Sequence, residues 1–231
     1  SYGEAKNTVD PGSIAFGSWN NNQHPGDPNN PGIGYAAGSP GHRFFLTGSY
    51  TKEYFGFGGT TISAFFESRT IGNTSYVFSG DLNGDGGTSN DLIYIHRDAS
   101  EMNFQTFTAS GRTYTAADQA AAWNAYIEQD DYLSEHRGEY AQRGAVFLPL
   151  VNRLAFSVSQ DLFASLKGRR HSFQFRVDFI NFGNLLNENW GVAQRLVSTS
   201  PLVLPTSAQG GVADTAGRVQ YRMRVVDGEL M

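Results

Sequence analysis

The chain has 231 residues, enough for one domain or two, and its apolar share of 39% and charged share of 17% are both low for a globular protein. Prominent instead are 27 Gly, 17 Phe and 11 Tyr, a composition that favours strands and long loops over helices. Without cysteine there are no disulfides, thiolate metal sites or cysteine nucleophiles, and a net charge of -5 with no basic run argues against nucleic acid as a partner.

No window approaches roughly 18 consecutive apolar residues, which excludes a transmembrane helix. A membrane β-barrel stays open, because its strands alternate lipid-facing apolar and lumen-facing polar residues and averaging erases that signal. The sequence starts at Ser1 with no signal peptide, so an exported protein would be represented here in processed or truncated form.

Ser1 to Lys6 reads as the tail of a strand. Residues 7–41 are rich in Asn, Pro, Gly and Ser, carry Trp19, His24 and Tyr35, and read as a long loop. From Arg43 to Tyr54 the residues alternate, with Phe44, Leu46, Gly48 and Tyr50 on one face and Phe45, Thr47, Ser49 and Thr51 on the other. A glycine-rich turn, Phe55 to Gly59, leads into Thr60 to Ile71. There Ile62, Ala64 and Phe66 oppose Thr61, Ser63, Phe65, Glu67 and Arg69, and the two runs are expected to form a hairpin.

Residues 72–151 form a second long excursion. At its start Asp81, Asn83 and Asp85 offer side-chain oxygen at alternate positions, Gly86 allows a sharp turn, Gly87 presents a carbonyl, and Asp91 returns as a distal carboxylate. This set suits Ca2+, which takes roughly six to eight oxygens at about 2.3 to 2.6 Å. The EF-hand pattern is matched only in part, since Leu92 stands where it has Glu, and a metal-free Asn/Asp/Gly turn is the competing reading. Calcium would be structural, converting the repulsive cluster of Asp81, Asp85 and Asp91 into a rigid corner. After the apolar run Leu92 to Ile95, the stretch Thr115 to Leu133 reads as a helix. Thr115 and Asp118 resemble a capping box, and Ala120, Trp123, Tyr126 and Ile127 form an apolar stripe expected to pack inside the excursion.

Asn152 to Phe163 sets Leu154, Phe156 and Val158 against Arg153, Ala155, Ser157, Ser159 and Asp161. A basic turn follows, Leu166 to Arg170. His171 to Phe182 then sets Phe173, Phe175, Val177 and Phe179 against Ser172, Gln174, Arg176 and Asp178, which predicts a second hairpin. Residues beyond Asn184 are irregular, with a long loop over about 184–217, except that Arg218 to Val226 suits one more strand.

Two tight turns thus alternate with three long excursions, so the long loops leave the strands at one end. Outer-membrane barrels have short periplasmic turns, long extracellular loops and strands of about 9 to 11 residues. Glu67, Arg69, Arg153, Asp161, Arg176 and Asp178 would then face a wet lumen and the apolar faces lipid. The expected fold is all-β, an antiparallel transmembrane barrel wall with long extracellular loops, one containing a helix. Four clear strands cannot close a barrel, and a barrel in lipid leaves no open edge, so this reading makes the chain a piece of a larger one.

Several stretches carry a family resemblance: His42-Arg43 opening a strand, Gly80-Asp-Leu-Asn-Gly-Asp, Asn90-Asp-Leu-Ile-Tyr-Ile, and Asp98-Ala-Ser before Phe104. It continues through Tyr132-Leu-Ser-Glu-His-Arg-Gly-Glu-Tyr-Ala, Val151-Asn-Arg and Asn181-Phe-Gly-Asn-Leu-Leu-Asn-Glu-Asn-Trp-Gly. Together they span most of the chain and resemble the C-terminal part of the barrel of TonB-dependent outer-membrane receptors of Gram-negative bacteria, in the Oar-like group with a carboxypeptidase-regulatory-like N-terminal domain. The resemblance implies a plugged barrel of about 22 strands. It also implies energy-coupled import of a nutrient, with TonB, the plug and the remaining strands as partners supplied outside these residues. A plug, a TonB box and a final aromatic-ended strand are not seen in residues 1–231. His96 stands where the resembling sequences often have proline, a change expected to affect only the local backbone.

An enzyme is the weaker expectation. Glu67 and Asp178 could be paired carboxylates for glycoside hydrolysis, but Arg69 and Arg176 two residues away make a self-satisfying charge ladder the simpler account. Binding is favoured: Trp19, Tyr76, Tyr114 and Trp190 lie in or beside the excursions, as the aromatic residues of a recognition surface do. The alternative is a secreted calcium-stabilised β-sheet adhesin, which would need its apolar faces buried between two sheets.

Overall fold

The computed structural model describes residues 1–12, 14–205 and 212–231. Part of the expected 184–217 loop, residues 206–211, lies outside the described residues, as does residue 13 of the 7–41 segment. The chain divides into two units. One comprises Ser1–Gly3, Pro40–Ile71 and Leu148–Arg195; the other comprises Glu4–Ser39, Gly72–Phe147 and Leu196–Met231.

The first unit is an open antiparallel sheet in the order Tyr2–Gly3, Gly41–Tyr54, Gly58–Thr70, Leu150–Leu166, Arg169–Phe179. Its four long strands have 14, 13, 17 and 11 residues, about twice the usual length of a globular strand or more. Both expected hairpins form, and Ser1–Lys6 does contribute a strand end. The ladders run closer to the tight turns than expected, leaving only residues 55–57 and 167–168 unpaired. Lys167 and Gly168 are both left-handed, with φ of 52° and 72°. That pair of torsions twists the turn in the sense of the flanking strands. The last strand stops at Phe179 rather than Phe182, because Asn181 turns left-handed at φ 58° and a short 3-10 helix, Phe182–Leu185, begins.

Register settles what alternation alone leaves free. Tyr50 pairs with Ile62, Ile62 with Val158 and Val158 with Val177; alongside, Leu46 pairs with Phe66, Phe66 with Leu154 and Phe156 with Phe179. Residues directly opposite share a face, so the apolar sides of all four strands merge into one surface. Glu67 opposite Arg153, Ser63 opposite Ser157 and Ser157 opposite Asp178 build the polar face. Among the described residues no closed barrel forms: the sheet ends on one side at Arg169–Phe179, and on the other only Gly41 and His42 meet a further strand.

The second unit corrects the reading of separate loops: the 7–41 segment joins it through backbone bonds from the His24 amide to Asn90 and from the Tyr35 amide to Arg143, and the excursions at 72–151 and beyond residue 184 share one hydrophobic core. Tyr76, Ile93, Ile95, Trp123, Ile127, Leu133, Leu202 and Met223 are all fully buried there. Burying each such side chain contributes about 1.5 to 3 kcal/mol, so these residues hold an irregular backbone in place. The helix forms at Ala116–Gln129 with the expected capping box: Thr115 accepts from the Asp118 amide while Asp118 accepts from the Thr115 amide. It ends at Asp130, whose carboxylate caps a second short helix, Asp131–Glu135. Trp123 and Ile127 supply the buried stripe, with Ala120 and Tyr126 packed against it. The 7–41 segment is not featureless: it contains a helix at Ala15–Asn20 and a ladder pairing Lys6–Asn7 with Gly34–Tyr35. The strand expected over Arg218–Val226 breaks into Val219–Gln220, Arg222–Met223 and Val225–Val226.

Candidate functional site

The Gly80–Asp91 loop is built from its own amides. Asp81 is buried, and its carboxylate accepts from the amides of Gly84 (2.7 Å), Asp85 (3.1 Å) and Gly86 (2.9 Å). Asp85 accepts from the Gly87 amide through Oδ1, and through Oδ2 from Asn83, Asn90 and His24. Gly87 is required by space: a Cβ there would lie 2.2 Å from the Asn90 side chain. The sequence reading missed His24 and Asn90. Asn90 sat unremarked inside the motif, whereas nothing local to His24 ties it to a loop 61 residues away. The tie is a backbone bridge in which the His24 amide donates to Asn90 and the Leu92 amide donates to His24. The Gly26 amide donates to His24 Nδ1, so the ring proton sits on Nε2 and is donated to Asp85 at 3.0 Å.

Electrostatically the loop is uneven. Burial pushes Asp85 upward, but the Gly87 amide, Asn83, His24 and Asn90 outweigh it and hold its carboxyl below the ordinary value. Asp91 goes the other way. Burial raises it, helped by the charges of Asp85 and Asp81, against the amide bond from Leu82 and the nearby His24. Its Oδ1 is buried with no hydrogen-bond partner, as is Oδ1 of Asn90. Among the described residues no group of three or more His, Asp or Glu side chains is arranged to hold a metal ion. The folded loop therefore brings Asp81, Asn83, Asp85, Gly87 and Asp91 into one turn without a metal-binding group among the described residues, and Asp91 Oδ1 is the loop's buried carboxylate oxygen without a hydrogen-bond partner.

On the polar face of the sheet the six charged residues line up as expected. Glu67 is buried and accepts from Arg43 at 2.7 to 2.8 Å, with Arg69 at 3.6 Å and Arg153 directly across. Glu67 is thereby the bridge between Arg43 and Arg69, which are themselves cross-strand neighbours. Asp161 accepts from Gln174, and Arg176 donates to Asp178. Glu67 with Arg69 and Arg176 with Asp178 thus pair, whereas Asp161 is held by a neutral amide.

The aromatic residues divide. Trp19 is exposed. Tyr76 and Tyr114, expected on a recognition surface, are core residues: the Tyr76 hydroxyl donates to Asp130 at 2.5 Å and that of Tyr114 to the Gly228 carbonyl at 2.6 Å. Trp190 is half-buried against Phe66 and covers Gly183, where a Cβ would come within 2.5 Å of the indole. His96 also departs from expectation. It is buried, with the Trp123 indole donating to Nδ1 at 3.0 Å and the Tyr221 oxygen 2.6 Å from Nε2.

Comparison with known proteins found no matching family model, no matching curated protein and no matching solved structure.

Proposed function

We infer that this chain is part of the wall and the outer loops of a TonB-dependent outer-membrane receptor, which binds a nutrient and imports it through the barrel lumen. One observation carries the reading: long antiparallel strands share one continuous, exposed apolar face. Phe44, Leu46, Tyr50, Phe173 and Phe175 on that face are 58 to 66% exposed. Water penalises such a surface, whereas lipid tails accept it. The polar face, with Glu67, Arg69, Arg153, Asp161, Arg176 and Asp178 on it, suits a lumen. The open sheet edges suit pairing with further strands of the same receptor. An adhesin sandwich would need a second sheet on the apolar face, and these exposures speak against it.

The same reading gives the Gly80–Asp91 loop a structural Ca2+. Its support is the oxygen-only donor set and the orphaned Asp91 Oδ1; the ion would neutralise carboxylates that now repel one another.

The test is the intact mass and membrane partition of the native protein. The expected result is a polypeptide several times larger than 25.2 kDa, released from outer membranes only by detergent. A free species near 25.2 kDa, monodisperse without detergent, overturns it.

A further inference from the structure

The second unit contains a cavity of about 410 Å³, within the roughly 300 to 1,000 Å³ range of small-ligand sites. It lies between the Ala15–Asn20 helix with the residues just after it, Tyr35 to Ala37, Asn73 to Ser75, and Arg143. Its only charged side chains are Asp10 and Arg143, which pair at 2.9 Å. Arg143 is buried and also donates to Asn7. Asp10 accepts from the Ala37 amide and the Asn7 side chain as well. The cavity thus carries no net charge to hold an ion.

Its polar wall is fixed before any ligand arrives. Asn73 accepts from the Gly38 amide and donates to Ala36 and Gly144, Ser75 accepts from the Gly144 amide, and the Asn22 amide donates to Thr8. Gly144 allows that approach, since a Cβ there would lie 2.5 Å from the Tyr35 carbonyl. The buried Arg143 Nε has no hydrogen-bond partner, and the side chains of Asn21, Gln23 and Thr74 line the cavity with no hydrogen bond among the described residues. Two amides and a hydroxyl can each donate and accept.

We propose that this cavity is the binding site of a neutral oligosaccharide, read by Asn21, Gln23 and Thr74. Sugar hydroxyls also donate and accept, so they match these groups without needing charge. A charged peptide is the poorer fit, because Asp10 and Arg143 already pair with each other. The proposal rests on the receptor reading only for the fate of the ligand, and its test reads binding alone.

Full-length native protein, held in an amine-oxide detergent that carries no sugar headgroup, is applied to an array of neutral, acidic and amino glycans and to a tripeptide library. Hits are titrated by calorimetry. Two variants accompany it: Asn21→Leu with Gln23→Leu removes the free amides, and Gly17→Leu fills the cavity from the helix. At Gly17 a Cβ meets nothing closer than 3.7 Å, and the helix gains propensity, so folding is preserved. The expected result is saturable binding of a neutral glycan, weakened about tenfold or more by each variant with thermal unfolding unchanged. Binding of no array glycan, preference for charged glycans or peptides, or affinity indifferent to both variants overturns the proposal.

Discussion

His96 shows how much one side chain depends on its neighbours. With Nδ1 accepting from the Trp123 indole, the neutral ring keeps its proton on Nε2, facing the Tyr221 oxygen. A second proton would have to enter at Nδ1, against an N–H that cannot accept it. Burial pushes the imidazole down to about 4, with only the charge of Glu101 opposing. Tyr221 is pushed up to about 12, chiefly by burial, so it stays a neutral phenol. The unfolded ring, near its ordinary 6.5, binds more protons than the folded one between pH 6.5 and about 4. Stability is therefore full above pH 6.5 and falls through that window by about 3 kcal/mol, at about 1.4 kcal/mol per pH unit. Denaturant unfolding at pH 7 and pH 4.5 checks this: His96→Asn should lose most of the pH dependence while lowering stability at pH 7. Equal dependence in both proteins would assign the acid sensitivity to other groups. A histidine among prolines reads as a backbone substitution in the sequence, because its partners lie 27 and 125 residues away.

At the scale of the element, patterning was decisive wherever the physics is local. Period two marked all four long strands, and Thr115 with Asp118 marked a helix start, since a capping box lies within one turn. The acidic loop is the mixed case. Its spacing suggested a calcium cage with a metal-free Asn/Asp/Gly turn as the alternative, and the His24 and Asn90 contacts to Asp85 come from the fold. Addition of Ca2+ to the native protein is expected to raise the melting temperature of the loop-bearing unit and slow proteolysis within residues 80–91, and chelation to reverse both. Asp91→Asn should remove the calcium response while leaving the apo protein as stable or more so, because it takes away a buried carboxyl oxygen that has no partner. A loop whose proteolysis is unchanged by chelation is a plain hydrogen-bonded turn.

For the whole molecule the question is which solvent meets the apolar face. Val177 sits in the row Tyr50, Ile62, Val158, Val177, at the middle of the Leu150–Leu166 strand and its neighbours. Val177→Arg in the full-length native protein should cost about 2 to 4 kcal/mol of insertion stability if that row lies near a bilayer midplane. On a water-exposed surface the same change stays within about 0.5 kcal/mol. Refolding into phospholipid vesicles separates the two, with Gln174→Arg on the opposite face as the tolerated control. By itself the sequence determined the strands, their two faces, both tight turns and the capped helix, because alternation, turn torsions and caps are written within a few residues of one another. Only the tertiary structure decided that the faces of four strands coincide, that two of the excursions share one core, and that Tyr76, Tyr114 and His96 are buried. Register, burial and pairing across 27 to 125 residues depend on which segments meet, and no local pattern records that.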